Sequence, residues 1–228
     1  MKKRKRFQAQ PGDEPGTFSK RIVADFTGCY SSGMSIRISG GFLGGRRFQV
    51  PPGPVRPTQD RVRQAIFSSL LARVPGAAVL DLFAGAGALG LEAFSRGADS
   101  VVWVELHPRV AAVLKNNVRA LCGDAPRLQV VRDDVWRFLA REGGASFDLI
   151  LADPPYASEG EDLKKLLSCL GSGVMLRDGG CLVMEQRAEA LEPDLDGWTL
   201  IKNGVYGETR ICIYRKDATM SLNPERNH

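Results

Sequence analysis

A doubly wound α/β fold, its mostly parallel sheet ending in an antiparallel pair, is what residues 76–217 predict. Strand-length apolar runs alternate with helix-period segments from residue 76 to about residue 184. Strands separated in this way by helices run parallel, because each connection has to cross back over the sheet. A glycine turn, Gly85-Ala86-Gly87-Ala88-Leu89-Gly90, joins the first strand to its helix, as in nucleotide-binding sheets. The alternation then stops. Thr199-Leu200-Ile201 and Arg210-Ile211-Cys212-Ile213-Tyr214 flank Tyr206-Gly207, a hairpin signal.

Residues 1–33 mix Lys/Arg, Gly, Pro and Ser without an apolar period, so a basic, disordered tail is expected there. Met34 precedes the first structured run and is a candidate start of translation; a peptide from residues 2–20 of the native protein would exclude that. Residues 34–75 read as a small Arg-rich extension. Ile36-Arg37-Ile38 alternates, Gly40-Gly41 and Gly44-Gly45 punctuate, and Arg46 to Val50 returns as a partner strand. Pro51 to Pro57 reads as a rigid loop holding Arg56. Thr58 suits the cap of the next helix, with Asp60 in its first turn. Val62, Ala65, Ile66 and Leu70 fall at helical spacing and leave Arg61 and Arg63 off the apolar stripe.

Within 76–217, strands are expected near 78–83, 100–105, 128–132, 147–152 and 181–184. Helices are expected near 89–96, 108–121, 135–141 and 163–170. Gly97 suits a helix C-terminus and Pro108 a first helical position. Residues 218–228 read as a tail.

Composition narrows the class. With 43% apolar and 25% charged residues among 228, the chain is neither disordered overall nor fibrous. No apolar run approaches the roughly 20 residues that cross a bilayer, and the basic start lacks the apolar segment of a secretory signal. Five scattered cysteines read as reduced thiols in a cytoplasmic protein. Two histidines make a His-based metal site improbable, so no metal is expected. Charge is uneven: residues 1–34 carry +4, residues 35–65 carry +5 and the remainder −4. A basic N-terminal third on a mildly acidic body is the footprint of a polyanion contact.

The strand at 147–152 runs into Asp153-Pro154-Pro155-Tyr156. Neither proline donates a backbone hydrogen bond, and each holds the residue before it extended. The carbonyls of Asp153 and Pro154 thus stand outside the sheet, between a carboxylate and an aromatic ring. Such acceptors beside a flat stacking surface suit a planar substrate bearing an amino group, although the same four residues would also serve as a plain turn.

The glycine turn matches the dinucleotide pattern, with Glu105 placed for a ribose. Asp81, inside the end of the first strand, argues for another ligand. A carboxylate there repels a pyrophosphate but can hold an ammonium, while the amides at the helix start can take a carboxylate. An amino-acid end, a ribose and a base together describe S-adenosylmethionine. Asp134 is then placed to accept from the adenine amine, with Asp133 as its competitor. Asp81, Phe83, Gly85, Gly87, Glu105 and Asp134 are the candidate cofactor residues.

Residues Asp81 to Ala93, Ser95-Arg96-Gly97-Ala98, Glu105, Asp134 and Asp153-Pro154-Pro155-Tyr156 resemble the bacterial small-subunit ribosomal RNA guanine-N2 methyltransferases. Ile38-Ser39-Gly40-Gly41, Gly45-Arg46-Arg47 and the leader Arg56-Pro57-Thr58-Gln59-Asp60-Arg61-Val62-Arg63 extend the resemblance over about residues 36–215. The leader is its most specific part; the extension 1–33 lies outside it. The resemblance implies a seven-stranded Rossmann-like class I methyltransferase fold acting on one guanine of 16S ribosomal RNA, naked or in an assembling small subunit. Asp153, Pro154 and Tyr156 are then the candidate catalytic residues. Arg46, Arg47, Arg56, Thr58, Arg61, Arg63, Pro155 and Tyr156 are candidates for RNA contact, though one or two of the arginines are expected only to brace the body. A monomer is expected. Adenine-N6 methylation of DNA, nicotinamide-dependent redox chemistry and a non-catalytic RNA-binding assembly factor remain open as alternatives.

Overall fold

The computed structural model describes residues 34–51, 60–141, 146–154, 161–172, 175–190 and 196–218. The expectations for 1–33, for 219–228 and for Arg56, Thr58, Pro155 and Tyr156 lie outside the described residues.

The body follows the predicted alternation: β3 (Ala78–Leu82), α2 (Ala88–Ser95), β4 (Ser100–Glu105), α3 (Pro108–Cys122), β5 (Leu128–Arg132), α4 (Val135–Leu139), β6 (Phe147–Ala152), α5 (Glu161–Ser172) and β7 (Leu176–Arg187). A hairpin of β8 (Trp198–Tyr206) and β9 (Thr209–Lys216) closes it, turning at Gly207 with φ 65°. The seven strands form one sheet in the order β5-β4-β3-β6-β7-β9-β8. The first five are mutually parallel, and β9 enters antiparallel between β7 and β8.

Alternation along each strand builds two cores. Val79, Trp103, Leu149, Leu151, Val183 and Ile213 face the side covered by α2, α3 and the N-terminal helix, whereas Leu80, Leu82, Ile150, Ala152, Leu182 and Met184 face α4 and α5. β7 begins earlier than the apolar run at 181–184 suggests. Its first part carries exposed Arg177 and Asp178, and its pairing with β6 shifts register between Phe147 and Leu149.

The extension forms the expected hairpin, β1 (Ser35–Arg37) against β2 (Arg47–Gln49), followed by α1 (Asp60–Ser69). Ile36, Ile38, Leu43, Phe48 and Val50 belong to the same apolar cluster as α2 and α3, so hairpin and body share one core. Gly41 lets the two touch. It has φ 75°, and a Cβ there would stand 1.8 Å from the Ser95 carbonyl oxygen.

Arg63 corrects the helical-stripe reading: it is 1% exposed rather than facing solvent. Its charge is compensated inside. The guanidinium bonds Asp60 and donates to the Arg37 carbonyl at 2.8 Å, and its Nε lies 4.0 Å from Glu92. Glu92 is fully buried and accepts from the Ser39 amide and hydroxyl, both at 2.7 Å, and from Arg96 Nε at 2.8 Å. Arg63 is therefore a brace between extension and body, and no surface remains on it for RNA.

Candidate active site

The carboxyl ends of β3, β4, β5, β6 and β7 share one edge of the sheet. From β3 the order runs outward to β4 and β5, and β6 then returns on the other side of β3. Open α/β sheets bind ligands at that reversal. Leu82 of β3 pairs with Ala152 of β6, so Phe83 and Asp153 leave the sheet side by side.

Phe83 leaves with φ 56°, a left-handed conformation that is uncommon for an aromatic residue and concentrates at functional turns. Its ring stands edge-on to Trp136 with centroids 6.1 Å apart, and Lys165 Nζ lies 4.0 Å above the Trp136 ring. The glycine turn follows. Gly87 caps α2 with φ 89°, where a Cβ would come within 2.3 Å of Leu114 Cδ1.

The acids hold this turn from below and behind. Gly90 donates to Asp81 Oδ2 at 2.8 Å and Gly85 to Glu105 Oε2 at 2.9 Å. Asp81 thereby differs from the direct ammonium contact expected for it: it is 1% exposed and offers the cleft no open carboxylate edge. Burial pushes its carboxyl up to about 8, with the nearby Glu105 adding to the rise against the lowering effect of the Gly90 amide. Glu105 also accepts from the His107 amide at 2.7 Å, and its own carbonyl takes the Asp133 amide at 3.2 Å, bringing the ends of β4 and β5 together. Asp133 bonds Arg141 and accepts from the Asp134 amide. Asp134 caps α4 through the Arg137 amide at 3.0 Å. The two acids are thus distinguished by their partners: Asp133 is buried in an arginine pair, and the half-buried Asp134 stands at the helix start.

Two contributors escaped the sequence reading. Leu106, 53% exposed right after Glu105, puts apolar surface beside the two carboxylate-bearing strand ends. An apolar residue between a strand's last acid and a helix-opening proline was the available signal. Asn117 of α3 holds β2 on both sides, accepting the Gln49 amide at 3.1 Å and donating to the Gln49 carbonyl at 2.9 Å, and donates again to the Ala86 carbonyl of the glycine turn at 3.1 Å.

Of the RNA candidates, Arg46, Arg47 and Arg61 are exposed. Arg46 acts electrostatically on Cys122, the last residue of α3. Arg47 Nε bonds Ser35 Oγ across the hairpin at 3.0 Å.

A family model described as conserved hypothetical protein 95 matches residues 36–215. Ribosomal RNA small subunit methyltransferase D of Escherichia coli K12 is 34% identical over 191 residues, covering 83% of this chain and 94% of that protein. The chain belongs to this family of bacterial small-subunit ribosomal RNA methyltransferases. The family's Haemophilus influenzae member of the same name is 30% identical over 182 residues, covering 79% of this chain and 93% of the relative. Among solved structures, E. coli yhhF, provisionally named a methyltransferase, superposes with a TM-score of 0.72 at 34% identity, over 82% of this chain and all of that one. Membership in a methyltransferase family sets the nicotinamide reading aside.

The cofactor of this methyltransferase fold is S-adenosylmethionine, and the residues present fit it. Gly87 and Gly90 let the turn pack directly on the core, where a Cβ would strike the buried Leu114 or Trp103. Beneath it lies a carboxyl group whose raised proton affinity a neighbouring positive charge would relieve. In the ligand-free protein this has a measurable cost. Asp81 is protonated when folded up to about pH 8 but ionised when unfolded above about pH 4. Its contribution to stability is therefore complete below the unfolded value and is lost as pH rises through the folded one. Urea denaturation at pH 5, 7 and 9 should show wild type losing stability relative to Asp81→Asn, by at most roughly 1.4 kcal/mol per pH unit. A pH-independent difference would refute the buried acid.

Proposed function

We propose that this chain methylates the exocyclic N2 amine of one guanine in small-subunit ribosomal RNA. The adjacency of Leu82 and Ala152 supports the reading, because Asp153 then leaves the sheet beside Phe83, from which the glycine turn departs. Bound at that turn, S-adenosylmethionine supplies a methyl group made electrophilic by its sulfonium. The N2 lone pair of guanine is delocalised into the ring and is a poor nucleophile. Accepting its two N–H bonds with the Asp153 carboxylate and the Pro154 carbonyl favours pyramidal nitrogen and stabilises the positive charge that develops on it. Asp153 then takes the proton released after transfer.

The base reaches this edge only by leaving its stack, and Tyr156 stacking on it is worth about 1–3 kcal/mol. Pro155 is assigned to substrate contact beside Tyr156. Arg46, Arg47, Arg56, Arg61 and Thr58 hold the flanking backbone, which makes RNA affinity salt-dependent. In this reading the protein acts in the cytoplasm as a monomer, on ribosomal RNA or the assembling small subunit, without a metal. Mass mapping of small-subunit RNA from cells lacking the protein should show one N2-methylguanosine missing. An unchanged modification map would overturn the proposal, and a loss of N6-methyladenine from DNA instead would favour the adenine alternative.

A further inference from the structure

Gln186 lies near the carboxyl end of β7, is 7% exposed, and has neither carboxamide oxygen nor nitrogen in a hydrogen bond. Leaving such groups buried and unpaired costs about 1–3 kcal/mol each. The sheet gives no structural reason to accept that cost, since Leu182 and Met184 fill the same face of β7 with apolar side chains. The cross-strand neighbour does not relieve it. Arg210 pairs with Gln186 in register but spends its guanidinium on the Ala188 carbonyl at 2.7 and 3.0 Å and on Asn203 Oδ1 at 3.1 Å.

The position of this carboxamide is informative. Met184 pairs with Ala152, so Gln186 and Pro154 each stand two residues beyond the last paired position of β7 and β6. Both have the parity of the α5 face, to which Leu182, Met184, Ile150 and Ala152 belong. Register therefore sets Gln186 across from Pro154, the residue whose carbonyl is proposed to hold the reacting amine.

We infer that Gln186 is a specificity-determining residue that reads the Watson–Crick edge of the target base; this rests on the guanine-N2 reading above. Guanine presents N2, N1–H and O6 in a row. With N2 on Asp153 and Pro154, the next two groups are a donor and an acceptor, and a carboxamide answers both: Oε1 accepts N1–H and Nε2 donates to O6. Adenine, placed with its amine on the same acceptors, presents a bare ring nitrogen next and then a C–H. It leaves Oε1 unpaired, and a site built to hydrogen-bond a substrate group rejects analogues that lack it far more strongly than an apolar pocket could.

The test compares wild type with Gln186→Met, which keeps the length of the side chain. The substrates are small-subunit RNA with guanine at the base located by mapping, and the same RNA with 2-aminopurine there. 2-Aminopurine keeps the reacting amine but has neither N1–H nor O6. On guanine the variant should lose about 10- to 100-fold in kcat/KM, as expected for two neutral hydrogen bonds. On 2-aminopurine the two enzymes should agree within about threefold, since neither bond exists to lose. Gln186→Met should also melt at or above the wild-type temperature, because an unpaired buried amide has been removed, and bind S-adenosylmethionine unchanged. A purely structural glutamine would instead lower the melting temperature and depress both substrates equally, and that pattern overturns the inference. Equal activity of the two enzymes on guanine overturns it as well. Wild-type enzyme that methylates no guanine overturns the function itself, an outcome distinct from failure of Gln186 alone.

Discussion

Asp153→Ala should lower methyl transfer to small-subunit RNA by about a thousandfold, the scale of deleting one preorganised group that stabilises charge in a transition state. The effect should fall on kcat, because the acceptor matters most when the nitrogen becomes pyramidal and positive. S-adenosylmethionine affinity should stay within about twofold, since the turn and its acids sit on β3 and β4 rather than on β6. Filter binding should show RNA retained, since the exposed arginines proposed to hold it are untouched. Asp153→Asn separates two roles. It keeps an acceptor oxygen but cannot take a proton, so substantial residual activity would identify hydrogen-bond acceptance as the main contribution. Full activity in Asp153→Ala would sink the mechanism, whereas RNA binding without any transfer in that variant, beside an active wild type, removes the non-catalytic assembly-factor reading.

The second large effect is on stability. Glu92→Ala removes a fully buried carboxylate that receives the Ser39 amide and hydroxyl and Arg96, and it strips a counter-charge from Arg63. Breaking a buried ion pair from one side costs about 3–5 kcal/mol, because the remaining charge is stranded. In a domain of this size that is a fall in melting temperature on the order of 10 °C. The loss should be local at first: limited proteolysis should cut the β1–β2 hairpin before the body. Glu92→Gln, which keeps the shape and some acceptors, should fall between wild type and Ala. A shift below about 1 kcal/mol for Glu92→Ala would mean that the apolar contacts of the hairpin hold it unaided.

The fold was readable because its signals are local. Apolar runs, helix periods, the glycine turn and the hairpin turn at Gly207 each declare themselves within a few residues. The acids at the strand ends were readable for the same reason, since position along the chain alone puts Asp81, Glu105, Asp134 and Asp153 on one edge of a parallel sheet. What each acid bonds was not. Asp81 reads as an open carboxylate until the turn folds over it and Gly90 takes its oxygen. Arg63 reads as a surface charge because its nearby partner Asp60 says nothing of burial, while Glu92 and the Arg37 carbonyl, which enclose it, lie far off in sequence. Gln186 carries no signal of its own in sequence, since a polar residue after an apolar run usually marks a strand's exit into water, and its burial depends on neighbours from other segments.

The three hydrogen bonds of Asn117 bear on how the molecule handles its two substrates. One amide head holds the hairpin strand by both backbone groups of Gln49 and, from its Nδ2, donates also to the carbonyl of Ala86 in the glycine turn. The hairpin proposed to meet nucleic acid and the turn proposed to hold the sulfonium donor are thus joined through one side chain. Any coupling that this joint carries between the two binding steps is equal in both directions.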